Sequence, residues 1–187
     1  MGMKRDEPFN PDSKSEPPPP GLRFRPALRG DRDAIARLMS VRNPLQNLAE
    51  IYKLTDRDLT TMESDPKYRV YVGDLNGKVI GFCRFYHSEG LPSEKRKFPA
   101  PEGWYGMGIM VDPEFRRRGI ARFLSAKRIE VLKEIGVSEF YSFADETNLT
   151  SMRMHREFGF EEIARAPGFL QVALDSGVGV LFRLAIK

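Results

Sequence analysis

The chain has 187 residues, 41% of them hydrophobic, and sets 30 basic residues against 26 acidic ones for a formal net charge of +4. That length supports one buried core and is short for two, while interspersed charges exclude a dominating long-range field and argue against the one-faced basic surface of a nucleic-acid binder. A single cysteine, Cys83, excludes an intrachain disulfide, and only two histidines accompany it, so no metal centre is expected. No run approaches the ~20 apolar residues of a membrane helix. The first 20 residues hold no apolar core of a secretory signal. A cytoplasmic protein with neither membrane nor nucleic acid as partner is the expectation.

Residues 1–21, with "NPDSKSEPPPPG", offer little to bury and read as a flexible, proline-rich tail before a single domain over 22–187. "LRFRPAL" reads as a first strand. "GDRDAIARLMS" carries helix-start chemistry at Asp31, with Ile35, Leu38 and Met39 following at helical spacing, and a second helix falls within 45–64. "YRVYVGDL" and "VIGFCRFY", separated by "NGK", predict a hairpin with an Asn-Gly turn. Residues 87–103 form a polar loop with three prolines, long enough to be a candidate lid or substrate loop. "WYGMGIMV" is a strand whose Gly106 and Gly108 suggest a bulge or a close approach. A helix with Ile120, Leu124, Val131, Leu132 and Ile135 on one face ends at Gly136. "SEFYSFA" reads as a strand, "NLTSMRMHREFGF" as a helix ending near Gly159, and "VGVLFRLAI" as a final strand.

The stretch "PEFRRRGIARFL" sits where a strand turns into a helix. The first amides of a helix have no intrahelical acceptor and lie at the positive end of its dipole, which suits phosphate oxygens. Gly119 and the small Ala121 let the backbone approach a bulky anion, and Arg116, Arg117 and Arg118 add guanidinium forks matched to phosphate. The competing interpretation is a solvated arginine cluster paired with acids such as Glu114.

"VDPEFRRRGIARFL" resembles the acyl-CoA loop of the GNAT superfamily of N-acetyltransferases, whose pattern is Gln or Arg, two residues, Gly, one residue, then Gly or Ala; Arg116, Gly119 and Ala121 fill it. "NLTSMRMHREFGF" resembles the family's asparagine-initiated helix ending in Gly-Phe. The resemblance implies a mixed α+β fold with a mostly antiparallel sheet of about seven strands, splayed between strands 4 and 5 and flanked by about four helices. It also implies acetyl-CoA as acyl donor, held by backbone groups of Ile109, Met110 and Val111 along the pantetheine arm, by the loop Arg116, Arg117, Arg118, Gly119, Ile120, Ala121 and Arg122 at the pyrophosphate, and by Asn148 and Ser151.

The implied reaction is direct attack of a neutral amine, on a small molecule or a protein, at the acetyl thioester, with a strand N–H polarising the carbonyl. Many family members place a tyrosine at the leaving group, seven residues after the asparagine, where this chain has His155. His155 is therefore the candidate catalytic acid, with a packed core histidine as the alternative. Glu102, Asp145, Glu146 and His87 are candidate bases, and Trp104 and Tyr105 candidate pocket walls. A non-catalytic acyl-CoA-binding module of the same fold is the alternative function, and a homodimer is compatible with either.

Overall fold

The computed structural model describes residues 17–42, 44–92, 94 and 96–187, so most of the expected tail lies outside the described residues. Strand β1 (Leu22–Pro26) is followed by helices α1 (Arg32–Arg42) and α2 (Leu48–Ser64), strands β2 (Tyr68–Leu75), β3 (Lys78–His87) and β4 (Trp104–Val111), and helix α3 (Ile120–Glu134). Then come β5 (Glu139–Asp145), α4 (Leu149–Glu157), β6 (Glu161–Ala166), the two-residue strands β7 (Gly168–Phe169) and β8 (Val172–Ala173), and β9 (Gly179–Ala185). The main sheet runs β1-β2-β3-β4-β5-β9-β6, and β7 pairs with β8 apart from it. Every pairing in the main sheet is antiparallel except that of β4 with β5.

Local chemistry accounts for most of these boundaries. Asn76 and Gly77 both have positive φ between β2 and β3, the two-residue turn whose twist matches a hairpin. Asn47 caps α2 by accepting from the Ala49 N–H at 2.8 Å, and Asn148 caps α4 by accepting from Ser151 N–H at 3.0 Å. Alternation along β3 distributes the helices between the two faces of the sheet. Phe82 joins Leu38, Met39, Ile51 and Leu59 of α1 and α2, while Cys83 joins Ile120 and Leu124 of α3.

In the 87–103 loop, Phe98 N–H donates to Leu170 O at 2.8 Å, and Arg96 donates to Ser88 O at 2.7 Å. One expectation needs correction. The sequence after Gly159 holds β6 and the β7–β8 hairpin, which its pattern did not separate: β6 is an exposed edge with little apolar alternation. Among the described residues no helix is long and apolar enough to cross a membrane.

Candidate active site

Strands β4 and β5 pair only through Trp104↔Phe140, Tyr105↔Tyr141 and Gly106↔Ser142. Beyond that point β4 stays with β3 and β5 stays with β9, so the sheet opens into a V. A cleft of about 890 Å³ fills the opening, lined on one arm by Met107–Val111 and on the other by Ser142–Asp145. A bulge helps to separate the arms: Met107 and Met110 of β4 face Arg84 and Phe82 of β3, three steps against two. The extra residue breaks the ladder and increases the local twist. Gly106 marks a close approach, because a Cβ there would stand 2.7 Å from Arg128 Nη1 and 2.8 Å from Phe140 Cζ.

At the mouth of the V the chain crosses from β4 to α3. Asp112 is buried, caps a single 3-10 turn by accepting from Glu114 N–H at 3.1 Å, and pairs with Arg37 Nη1 at 2.8 Å. Arg117 and Gly119 then take left-handed φ values of 66° and 65°, and Gly119 is the N-cap of α3. Left-handed residues interleaved this way curl a chain so that successive N–H groups converge, as in anion-binding nests. The first helical bond runs from Phe123 N–H to Gly119 O, which leaves the Ile120 and Ala121 amides without an intrahelical acceptor.

The expected site residues separate into two groups. Ile109, Met110, Val111, Arg116, Ala121, Asn148, Ser151 and His155 all line the cleft. Arg117, Arg118, Gly119, Ile120 and Arg122 do not: Ile120 is core, Arg122 pairs with Glu157 at 2.6 Å, and Arg118 lies 5.6 Å from the Phe115 ring.

His155 is 6% exposed, stacked on Phe182 with ring centroids 4.5 Å apart and edge-on to Phe160. Its Nδ1 lies 2.7 Å from Ser151 O. A carbonyl can only accept, so Nδ1 carries the proton and the neutral ring presents Nε2 as an acceptor. Burial pushes its pKa down to about 4, Arg128 contributing in the same direction against the Ser151 carbonyl. The ring is neutral at pH 7 and has no proton at Nε2 to give.

The candidate bases are mostly engaged elsewhere. Asp145 lines the cleft, but accepts from Thr147 Oγ1 at 2.6 Å, Thr147 N–H at 3.0 Å and Ser176 N–H at 2.8 Å, which holds its carboxyl well below the usual range. Glu146 receives Arg165 at 3.1 Å, and His87 Nδ1 accepts from Glu89 N–H at 3.3 Å. Neither Glu102 nor His87 lines the cleft. Trp104 and Tyr105 are packing residues: Trp104 lies against Phe85, and buried Tyr105 donates to Pro101 O at 2.7 Å.

Three cleft arginines escaped the sequence reading. Arg42, at the end of α1, is exposed along its stem, but its guanidinium lies against Gly108 in the cleft, where partial loss of hydration, and then Arg84, lower its pKa. Arg84 on β3 is bound to Asp58 at 2.5 Å. Arg128 on α3 is buried. A signal for Arg128 was available, since Ile120, Leu124, Arg128 and Leu132 recur every four residues and all four are buried, placing a cation within an apolar stripe.

The family model described as "Acetyltransferase (GNAT) family" matches residues 34–160, which span both arms of the V, the loop and α4. The chain belongs to the GNAT family of acetyltransferases. Its fold is similar to that of an N-acetyltransferase from Staphylococcus aureus Mu50 (20% identity, 89% of this chain and 99% of the other, TM-score 0.66). It is also similar to the ribosomal-protein-alanine N-acetyltransferase of Brucella melitensis (21%, 88% and 99%, 0.64). A third similar structure is Arabidopsis thaliana NAA60 in complex with acetyl-CoA (17%, 88% and 98%, 0.64). No curated protein sequence matches the chain. The expected fold, a seven-stranded, mostly antiparallel sheet opening between β4 and β5 with four flanking α-helices among the described residues, is the one observed.

Proposed function

We propose that the chain transfers an acetyl group from acetyl-CoA to a primary amine of a small molecule or a protein, by direct attack within a ternary complex. The observation that carries this reading is the parallel pairing that stops at Gly106↔Ser142 and leaves residues 107–111 without a β5 partner beside the loop at the start of α3. A strand edge of that kind can hydrogen-bond an amide-bearing arm as a missing strand would, and the α3 amides suit the diphosphate at its end. In this reading Ile109–Val111 hold the arm through their backbone, the Arg116–Arg122 segment holds the pyrophosphate, and Asn148 and Ser151 contact the cofactor from α4. A β4 N–H at the bulge polarises the acetyl carbonyl. Family membership and the acetyl-CoA complex of the similar Arabidopsis protein support the donor.

His155 takes a narrower part here than the tyrosine it replaces. With its proton committed to Ser151 O, it orders the α4 wall and offers Nε2 as an acceptor. The amine proton leaves to water or to that acceptor. The commitment of Asp145 to Thr147 and Ser176 favours a second reading, an acyl-CoA-binding module without turnover. Measuring CoA release over a panel of amines separates the two.

The loop assignment is tested by Gly119→Val. A β-branched residue at φ 65° is strained by roughly 1–3 kcal/mol and reshapes the helix start. Acetyl-CoA affinity measured by calorimetry falls at least tenfold while the circular dichroism spectrum stays that of the wild type. Unchanged affinity removes the loop from the binding site.

A further inference from the structure

Among the described residues, Arg128 stands inside the cleft with no carboxylate paired to it. Arg128 is 4% exposed, its Cζ lies 4.8 Å from the Phe140 ring centroid, and its hydrogen bond from Nη1 to Met107 O is a long one at 3.5 Å. Its Nε is buried with no partner. The titratable groups that sense it are Cys83 on β3, whose thiol burial pushes up to about 11, and His155 on α4, pushed down to about 4, so both are neutral at pH 7. Its neighbours on β4 and β5, Gly106 and Phe140, carry no charge. A guanidinium stripped of water and left unpaired costs several kcal/mol, and a buried arginine does not escape by deprotonating. The arrangement is completed by an anion that arrives from the cleft.

Position selects the anion. Arg128 lies on the α3 side of the sheet against Gly106, at the last β4–β5 pair, the deep end of the V. The loop proposed for the pyrophosphate is at the mouth. Arg128 follows Ala121 by seven residues of helix, roughly 10 Å at 1.5 Å per residue. An arm entering at the loop and running along Val111 towards Met107 brings its sulfur, not its phosphates, to Arg128.

Resting on the transferase reading above, we propose that Arg128 is a catalytic residue that holds the CoA thiolate as it leaves. The amine nitrogen forms a bond to the acetyl carbon, the carbon–sulfur bond breaks, and its electron pair goes to sulfur. The guanidinium donates an N–H to the resulting thiolate. The proton shed by the new amide nitrogen passes to water, and the thiolate takes one back before CoA departs, so the net change is amine plus thioester to amide plus thiol. A charge stabiliser here accounts for the absence of a proton donor at His155: the leaving group is held as an anion and needs no acid.

The test binds CoA to the full chain and follows its thiolate ultraviolet absorbance against pH, with free CoA in the same buffer as reference. A neighbouring cation lowers the ionisation of the bound thiol by about 1–3 pH units. The Arg128→Met variant, similar in length and uncharged, loses that lowering and loses at least tenfold in kcat while its acetyl-CoA affinity changes less than threefold. A wild-type thiol that titrates like free CoA overturns the proposal even if the variant does not fold, as does an equal lowering in both proteins. A fall in kcat without a change in thiol ionisation places the charge on the carbonyl oxygen instead and also overturns it. If calorimetry finds no CoA binding by the wild type, the transferase reading itself fails and takes this one with it.

Discussion

At His155 the packing partners decide the chemistry. Phe160 follows α4 directly, but Phe182 comes from β9, and the two rings strip the imidazole of water. In the unfolded chain this histidine titrates near its ordinary 6.5, in the folded chain near 4, so between those values the unfolded state binds more protons and stability falls as the pH falls. The full effect is about 3 kcal/mol, present above pH 6.5 and gone below pH 4. His155→Phe keeps the ring and removes the titration, so its denaturation free energy drops less between pH 7 and pH 4.5 than that of the wild type. Equal drops would mean that the wild-type ring is charged in the fold. Gly106→Ala is the second residue-scale prediction: the added methyl meets Arg128 and the Phe140 ring, neither free to retreat, and costs about 1–3 kcal/mol in a urea melt. The family resemblance singled out position 155, but could not reveal a partner from a strand 27 residues further on. Position 128 was legible in principle, by its place in the stripe of Ile120, Leu124 and Leu132, although a charged residue on a helix is ordinarily assigned to solvent.

Between elements, Asp58 does the most joining. It is 3% exposed on α2, accepts Arg84 Nη1 of β3 at 2.5 Å and Tyr68 O–H of β2 at 2.8 Å, and lies 3.4 Å from Arg57. One carboxylate thus ties a helix to two strands and supplies the counter-charge for a half-buried arginine that lines the cleft. Asp58→Ala leaves half-buried Arg84 without its partner, at about 1–3 kcal/mol. Urea denaturation should show that loss, and a cost under about 1 kcal/mol would mean that Arg84 reaches solvent. Elements built on local signals were readable: the Asn-Gly hairpin, the capped helices and the glycine after α4 all fall where residue chemistry puts them. Strand β6 was not, because "EEIARA" at an exposed edge buries nothing and shows no alternation, and β7 and β8 are too short to have a pattern at all.

Across the whole molecule, the sheet is two assemblies joined at a narrow waist. Strands β1–β4 carry α1 and α2, β5, β9 and β6 form the second part, three residue pairs join their strands, and apolar contacts such as those of Tyr105 with Tyr141 and Phe143 pack across the join. No spacing rule announces that parallel pairing ceases after Gly106; the opening followed from the family resemblance, and the two motifs that meet at it lie about 30 residues apart. Because β4 amides alternate in direction, those of residues 107–111 that face β5 have no strand to bond, while their neighbours are held by β3. An arm laid along that edge would protect the first set and leave the second as it is. Hydrogen exchange should therefore slow at the amides of 107–111 that point away from β3 when acetyl-CoA is added, and not at those bonded to β3 or in β2 or β9. Saturation at 100 times Kd contributes about 2.7 kcal/mol and raises Tm by roughly 5–10 °C for a chain of this size. A rise in Tm with uniform exchange along β4 would place the ligand elsewhere, since only an occupant between the arms of the V distinguishes one side of the strand from the other.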